Sequence, residues 1–438
     1  MGHSLRNRLQ AIKSLQAEAG LKKAASEDAR SGANSVNMVA SDASAVSVNA
    51  ASADTLPPGW LSVASLVKKR VLTLDMPVPV PALTKTVRQS LAILTPDLLH
   101  ALHADYTYED FVFFDLETTG LSSGAGTLAF IAAFGRLKKA RRGYVLRCDQ
   151  YLLLDYPGEN DFLEAALGAL RGEFNAPFIV SYNGKCFDSQ ILKTRCLMNA
   201  IAPPVFRHVD LLHPARRLWK RTLSSCSQSE IETAILGLDR TGDISGAFAP
   251  DIWFSFLRNG EWEPLLEMCD HNKRDVLGLA SLFIAFTHIA EDPARYTEGY
   301  RVDRENLALR WRSVLKYNGV GVEEIVHRTG GDLIRDASER GYPKAALVLA
   351  FDRMRDGSFE EARQRLSAIA ATTAIPAAIK ALALRGLAID AERRLKDEGK
   401  ALVYVEQGLA LNGIGNMARA DFEHRKKRLL KKLNVETR

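Results

Sequence analysis

The sequence predicts an α/β chain in which a mixed sheet carries helices on its faces and an all-helical domain follows. Two observations carry this. From Phe111, β-branched and aromatic runs (FVFFDLET, AFIAAFGRL, YVLRCDQYLLL) succeed one another across a Gly-containing loop and a basic turn at Lys138–Gly143. They then give way to helical patterns alternating with short strands at Phe178–Ser181 and His208–Asp210. A three-stranded meander followed by alternating helices and strands makes a mixed sheet with both faces covered. After Tyr300 the strand signal disappears and the pattern is helical to the end of the chain.

In chain order, Ser4–Ala25 fits a short basic amphipathic helix. The Ala, Ser, Asn and Asp-rich stretch Ser26–Asp54 has no apolar period and reads as a linker. The predicted divisions are a low-complexity segment at 1–55, a lead-in at 56–104 that packs on the core, an α/β domain at 105–292 and a helical domain at 300–438. Within the lead-in, PVPVP at 77–81 is expected to be extended and TVRQSLAILTPDLLHAL to be helical.

The chemistry starts from Asp115 and Glu117. Residues two apart on a strand project to the same side, so these carboxylates share a face at the end of FVFFDLET. Crowding two acids on a buried strand costs several kcal/mol unless a cation or a proton neutralises them. Hard oxygen ligands at this spacing suit Mg²⁺ or Mn²⁺. Two further stretches supply acids. Asn183 and Gly184 break an apolar run, and Phe187-Asp188 opens the helical pattern SQILKTRCLM. HNKRD, expected at the start of a helix continuing as VLGLASLFIAF, puts His271 and Asp275 one turn apart on one face.

In these three motifs the chain resembles the DEDD superfamily of 3′–5′ exonucleases on the ribonuclease H-like fold. DLETTG is similar to its first motif, Asn183-x-x-x-Phe187-Asp188 to its second and His271-x-x-x-Asp275 to its third. The nearest likeness is to a bacterial branch called the YprB family of ribonuclease H-like proteins. It covers roughly Thr107 to Ile289, including HVDLLHPARRLW at 208–219 and GDISGAFAPDIWFSF at 242–256. The resemblance implies two Mg²⁺ or Mn²⁺ ions held by Asp115, Glu117, Asp188 and Asp275, with Asp115 bridging and Glu117 orienting a water. It also implies His271 as general base and substrate contacts from Thr118, Thr119, Gly120, Asn183 and Phe187. His271 sits at the four-residue spacing of the tyrosine-type members, where a histidine accepts a proton near neutral pH more readily than tyrosine.

Each of these residues also has a plainer reading. Asp188 and Asp275 could be helix-start acids held by the dipole, and His271 a packing histidine. Asn183 beside Gly184 could be only a turn residue. The glycines at 120, 124 and 126 suit either a close approach of nucleic-acid backbone or a flexible loop. His208 and Asp210 read as structural partners at a strand-to-helix junction. Arg216, Arg217, Lys220 and Arg221 suit either phosphate contact or a solvated helix face.

A formal net charge of +6 over 438 residues accords with a polyanionic partner, DNA or RNA. The five cysteines, at 148, 186, 196, 226 and 269, have no C-x-x-C spacing, which points to a reducing, cytoplasmic location. No apolar run of about 20 residues predicts a membrane span. Ala345–Ala370 is similar to a tetratricopeptide repeat, with Gly357 at its turn, and Lys380–Leu411 echoes it with Gly399-Lys400-Ala401 at the corresponding turn. Such hairpins imply a protein partner, and the basic run HRKKRLLKKLN at 424–434 suits nucleic acid or solvent. A nuclease is thus expected, against the alternative of a catalytically weak nucleic-acid-binding adaptor. The complete set of acids favours the nuclease.

Overall fold

The computed structural model describes residues 57–81, 107–120, 126–171, 178–317 and 324–436. The amphipathic segment Ser4–Ala25, the linker Ser26–Asp54, the TVRQSLAILTPDLLHAL stretch and Gly124 lie outside the described residues. The chain divides into two compact units, whose described residues are 57–81, 107–120, 126–171, 178–215 and 225–288 for the first and 216–224, 289–317 and 324–436 for the second.

The first unit contains one seven-stranded sheet of order β1-β2-β5-β4-β3-β6-β7. Its strands are β1 Leu61–Ala64, β2 Val67–Asp75, β3 Phe111–Thr118, β4 Ala129–Ala140, β5 Gly143–Leu153, β6 Phe178–Ser181 and β7 Arg207–Asp210. β1 to β5 pair antiparallel, whereas β3–β6 and β6–β7 pair parallel. The expected three-stranded meander is therefore extended by β1 and β2, which the lead-in segment contributes. β2 runs in unbroken register on β5 from Val67↔Leu153 to Asp75↔Val145. Its sequence, VKKRVLTLD, hides the strand because cations occupy positions that face polar partners. Arg70 Nε donates to Gln150 Oε1 at 2.7 Å, and Lys69 Nζ lies 5.2 Å from the centre of the Tyr151 ring.

Alternation along β3 divides its two faces. Val112, Phe114 and Leu116 enter a core formed with Phe162, Leu163 and Ala166 of α1 (Glu159–Arg171) and with Ile252 and Trp253 further along the chain. Phe111 and Phe113 face the opposite way, toward Phe283, at ring separations of 4.9 and 5.6 Å. Asp115 and Glu117 continue that second face. The intervening helices are α2 Asp188–Met198, α3 Leu212–Trp219, α4 Gln228–Leu236 and α5 Ala249–Asn259, and α6 Trp262–Glu291 carries Phe283.

α6 spans 30 residues, about 45 Å of helix, and buries Leu265, Met268, Cys269, Asn272, Val276, Leu279 and Phe283 at helical spacing. The helix begins at Trp262, so His271 and Asp275 lie in its interior and not at its start. Leu265, Met268 and Cys269 extend the apolar stripe upstream, and Pro264 is tolerated because the first turn needs no intrahelical N–H donor there. α6 lies so near the sheet that a Cβ added at Gly135 of β4 would sit 2.5 Å from Val276 Cγ1.

The second unit is helical: α7 Pro293–Gly299, α8 Arg304–Tyr317, α9 Glu324–Glu339, α10 Pro343–Arg355, α11 Phe359–Ala371, α12 Ala377–Asp390, α13 Glu398–Ala410 and α14 Asn416–Glu436. From α8 onward each helix packs on the next. Residues 216–224 belong with this unit. Trp219 Nε1 donates to Tyr300 O at 2.8 Å, Asp303 N donates to Leu218 O at 2.9 Å, and Arg221 pairs with Asp303 and Glu305. Glu305 in turn accepts the Lys344 amide at 2.7 Å, in the first turn of α10. Gly357 turns the chain between α10 and α11 with φ +86°, as expected. The next turn differs from expectation: Gly399 lies inside α13, and the chain reverses at Lys396, whose φ is +54°. Asp397 supplies the cap there, its Oδ1 accepting the Lys400 amide at 2.7 Å.

The Gly135–Val276 approach yields a test of the helix-on-sheet contact. Gly135→Ala should destabilise the chain by about 1–3 kcal/mol, because the added methyl has no free space. Urea unfolding followed by circular dichroism measures this, and an unchanged midpoint would contradict the tight approach.

Candidate metal centre

The sheet and α6 bring the three acidic motifs to one place. A cavity of about 210 Å³ is lined by Asp115, Glu117 and Thr118 of β3, by Tyr182, Asn183, Phe187 and Asp188 around the start of α2, by Gly246 and Ala249, and by His271 and Asp275 of α6. One ligand atom from each of Glu117, His271 and Asp275 lies within 4.8 Å of the others. His271 Nε2 is 3.4 Å from Asp275 Oδ2 and 3.9 Å from Glu117 Oε1. Thr118 turns its hydroxyl to Gly120 O at 2.8 Å. Thr119 and Gly120 do not line the cavity. The Thr119 Oγ1 accepts the Leu128 amide at 3.0 Å, and a Cβ at Gly120 would meet Thr127 Oγ1 at 3.1 Å, so both close the loop between β3 and β4.

Each acid is held by an identifiable local device. Asp115 Oδ2 accepts from Asn272 Nδ2 at 2.6 Å. Asn272 Oδ1 accepts from Gln150 Nε2 at 2.7 Å, and Arg70 donates to Gln150. This chain runs from α6 through β5 to β2 and fixes the Asp115 carboxylate against rotation. Asn272 was not among the expected site residues, although a polar residue inside the apolar stripe of α6 is the signal that marks it. Asp188 is placed by a tight turn. Asn183 takes a left-handed φ of +66°, and its amide and that of Lys185 donate to Asp210 at 2.8 and 3.1 Å. A Cβ at Gly184 would come within 2.7 Å of Asp188 Oδ2 and of the Ser181 side chain, so only glycine allows this packing.

Burial, followed by the charges of Asp275 and Asp188, pushes the Asp115 carboxyl well above the ordinary carboxylate range. The Asn272 hydrogen bond and Arg240 oppose this only in part. Glu117 is raised well above its usual value by burial and then by Asp115, Asp275, Asp188 and Asp243. Asp188 is pushed up to about 7 by burial and by Asp210. These are the shifts of an anionic cluster short of positive charge, and a set of hard carboxylate oxygens fits a divalent cation such as Mg²⁺ or Mn²⁺. Burial would lower His271, but the Asp243 carboxylate, 3.1 Å from Nδ1, and the Asp275 charge outweigh it and raise the imidazole above its usual value.

His208 and Asp210 stand outside the cavity. Asp210 accepts three backbone amides, those of Asn183, Lys185 and Leu212. His208 lies between Ser181 Oγ at 2.6 Å and Ser189 Oγ at 3.0 Å, and burial pushes it down to about 4.

Residues 112–287 match the family model of the RNase H superfamily, and the mixed sheet with helices on its faces is the RNase H-like fold. Over 212 residues the chain is 37% identical to the uncharacterized protein YprB of Bacillus subtilis (strain 168), a stretch that covers 46% of this chain and 49% of YprB. The chain thus spans about half the length of the curated relative it matches. A solved structure of the family B DNA polymerase from the hyperthermophilic archaeon Pyrobaculum calidifontis aligns with a TM-score of 0.31 and 12% identity, over 46% of this chain and 29% of that one. Among the described residues no helix is long and apolar enough to cross a membrane.

His208 gives a pH test outside the cavity. Its folded pKa of about 4 lies below an unfolded value of about 6.5, so the stability tied to its neutral form is complete above that value and is lost as pH falls toward 4. That loss amounts to about 3 kcal/mol. Urea midpoints measured between pH 7 and 4 should fall less steeply for His208→Gln than for the wild type, and parallel slopes would contradict the assignment.

Proposed function

We propose that this chain is a metal-dependent nuclease that hydrolyses phosphodiester bonds of DNA or RNA, acting as a 3′–5′ exonuclease of the DEDD type with two divalent ions. The observation that carries the reading is the convergence of Asp115, Glu117, Asp188 and Asp275, from one strand and two helices, on a single polar cavity beside His271. An RNase H superfamily match over residues 112–287 supports a nuclease, and the exonuclease direction is taken from the motif resemblance.

In this reading the four carboxylates hold Mg²⁺ or Mn²⁺. When bound, such ions polarise the phosphate and acidify a water. Asp115, tethered by Asn272, would present Oδ1 to the ions while Oδ2 stays hydrogen-bonded. Glu117, Asp188 and Asp275 would complete the oxygen donor set. His271 would accept the proton of the attacking water at Nε2, the nitrogen that faces Glu117 and Asp275. Thr118, Asn183 and Phe187 line the same cavity and would contact the terminal nucleotide, with Thr119 and Gly120 shaping the loop beside it. The α/β domain at 105–292 would carry the activity, and the tetratricopeptide-like hairpins of 300–438 would offer a surface for a protein partner.

Asp115→Asn tests the site in two ways. With Mg²⁺ or Mn²⁺ and end-labelled single- and double-stranded DNA and RNA, the variant should lose the metal-dependent cleavage shown by the wild type. In metal-free buffer at pH 7 it should be more stable than the wild type, because one member of a repelling cluster has become neutral. Cleavage at near wild-type rate, or a destabilised metal-free variant, would contradict the assignment. Chelator should abolish wild-type cleavage, and metal-independent hydrolysis would refute the metal role.

A further inference from the structure

The GDISGAF stretch places Asp243 beside His271, and Arg240 precedes it in the same connection between α4 and α5. Arg240, whose side chain is 11% exposed, faces three carboxylates. Its Nε donates to Glu232 Oε2 at 2.6 Å, its Nη1 donates to Asp243 Oδ2 at 2.7 Å, and its Nη2 lies 2.7 Å from Asp275 Oδ1. Glu232 is fully buried where α4 meets α6, so close that a Cβ at Gly278 would sit 1.8 Å from its Oε1. Gln228 Nε2 ties the two helices together, donating to Glu232 Oε1 and to Asp275 O at 2.7 Å each. Asp243 is held equally firmly: Oδ1 accepts from Arg274 Nη1 at 2.8 Å, and Oδ2 lies 3.1 Å from His271 Nδ1.

This arrangement decides which atoms reach the cavity. With Oδ1 paired to Arg240, Asp275 has Oδ2 left to face His271 Nε2 and the cavity. With Nδ1 against Asp243, His271 has Nε2 directed toward Glu117 and Asp275. Neither Arg240 nor Asp243 lines the cavity, so each acts through another residue. We infer that Arg240 and Asp243 are positioning residues of the centre: Arg240 fixes Asp275 by occupying one of its oxygens, and Asp243 fixes the imidazole of His271 by occupying Nδ1. The inference rests on the reading of this cavity as a metal-dependent nuclease site.

The test uses the full chain, with Mn²⁺ binding measured by isothermal titration calorimetry and turnover measured on an end-labelled oligonucleotide. Arg240→Gln should weaken Mn²⁺ binding by about 10–100-fold, and Arg240→Lys should recover part of the loss because one charge-assisted contact remains. Asp243→Asn should leave Mn²⁺ affinity within about threefold while lowering kcat by about 10–100-fold at little cost in KM. A merely structural role would lower thermal stability without this division between the two variants. Because Arg240→Gln strands Glu232 in the interior, Arg240→Gln with Glu232→Gln is measured beside it and carries the same expectation if the single variant does not fold. Mn²⁺ affinity within about threefold of wild type in a folded Arg240→Gln chain, or in the double variant, overturns the role of Arg240. Unchanged kcat in Asp243→Asn overturns that of Asp243. Asp115→Asn separates the two levels: if it abolishes Mn²⁺ binding while the Arg240 variants bind normally, this inference alone fails. If Asp115→Asn binds normally, the reading of the centre fails.

Discussion

Carboxylates gathered in a largely buried cavity repel one another, and a chain that keeps them there must hold each one more stiffly than the repulsion can displace it. β3 has the necessary rigidity because it is an interior strand, paired with β4 on one side and β6 on the other. α6 has it because Phe283 packs on Phe111 and Phe113 while Val276 fills the space that Gly135 leaves open. The strand and the helix are thus locked by apolar contacts on the same face that carries Asp115 and Glu117. Apolar packing therefore sets their mutual position, and the Asn272–Asp115 hydrogen bond adds to it. The relay from Asp115 through Asn272 and Gln150 to Arg70 spreads the anchoring over two further elements, β5 and β2.

The readability of these features in the sequence followed from how local their causes are. The strand FVFFDLET, the glycine-marked turn before Asp188 and the one-turn spacing of His271 and Asp275 each depend on neighbours in sequence, and the structure brings all three motifs to one cavity. The strand VKKRVLTLD is not legible, because its cations meet Gln150 and Tyr151 of β5 and Asp270 of α6, elements formed later in the chain. The start of α6 lies upstream of the point where the apolar pattern predicts it, for a related reason. Asp270, His271 and Asn272 look like a break in the apolar pattern, yet Asn272 is fully buried because Asp115 and Gln150 satisfy its amide. Its partners lie 157 and 122 residues away, and no local rule could supply them. The same holds for Arg240 and Asp243, which look like ordinary loop charges until the fold sets them against α6.

Two aspartates near β6 show how the surroundings separate a structural acid from one that can serve as a ligand. Asp210 and Asp188 are both 7% exposed and stand close enough for the charge of one to raise the other. Asp210 has both oxygens engaged, Oδ1 by the amides of Asn183 and Leu212 and Oδ2 by that of Lys185, and it thereby stitches the turn before α2 to the start of α3. An acid satisfied in this way has little left to offer a cation. Asp188 lines the cavity and is raised to about 7, so its charged form gains more from an incoming cation than that of any acid already satisfied by backbone donors. The tight turn at Asn183–Gly184 is what permits both: it presents amides to Asp210 on one side and leaves room for the Asp188 carboxylate on the other. A side chain at Gly184 would press on Asp188 and Ser181 together, so the backbone shape of this turn and the donor set of the cavity are one constraint and not two.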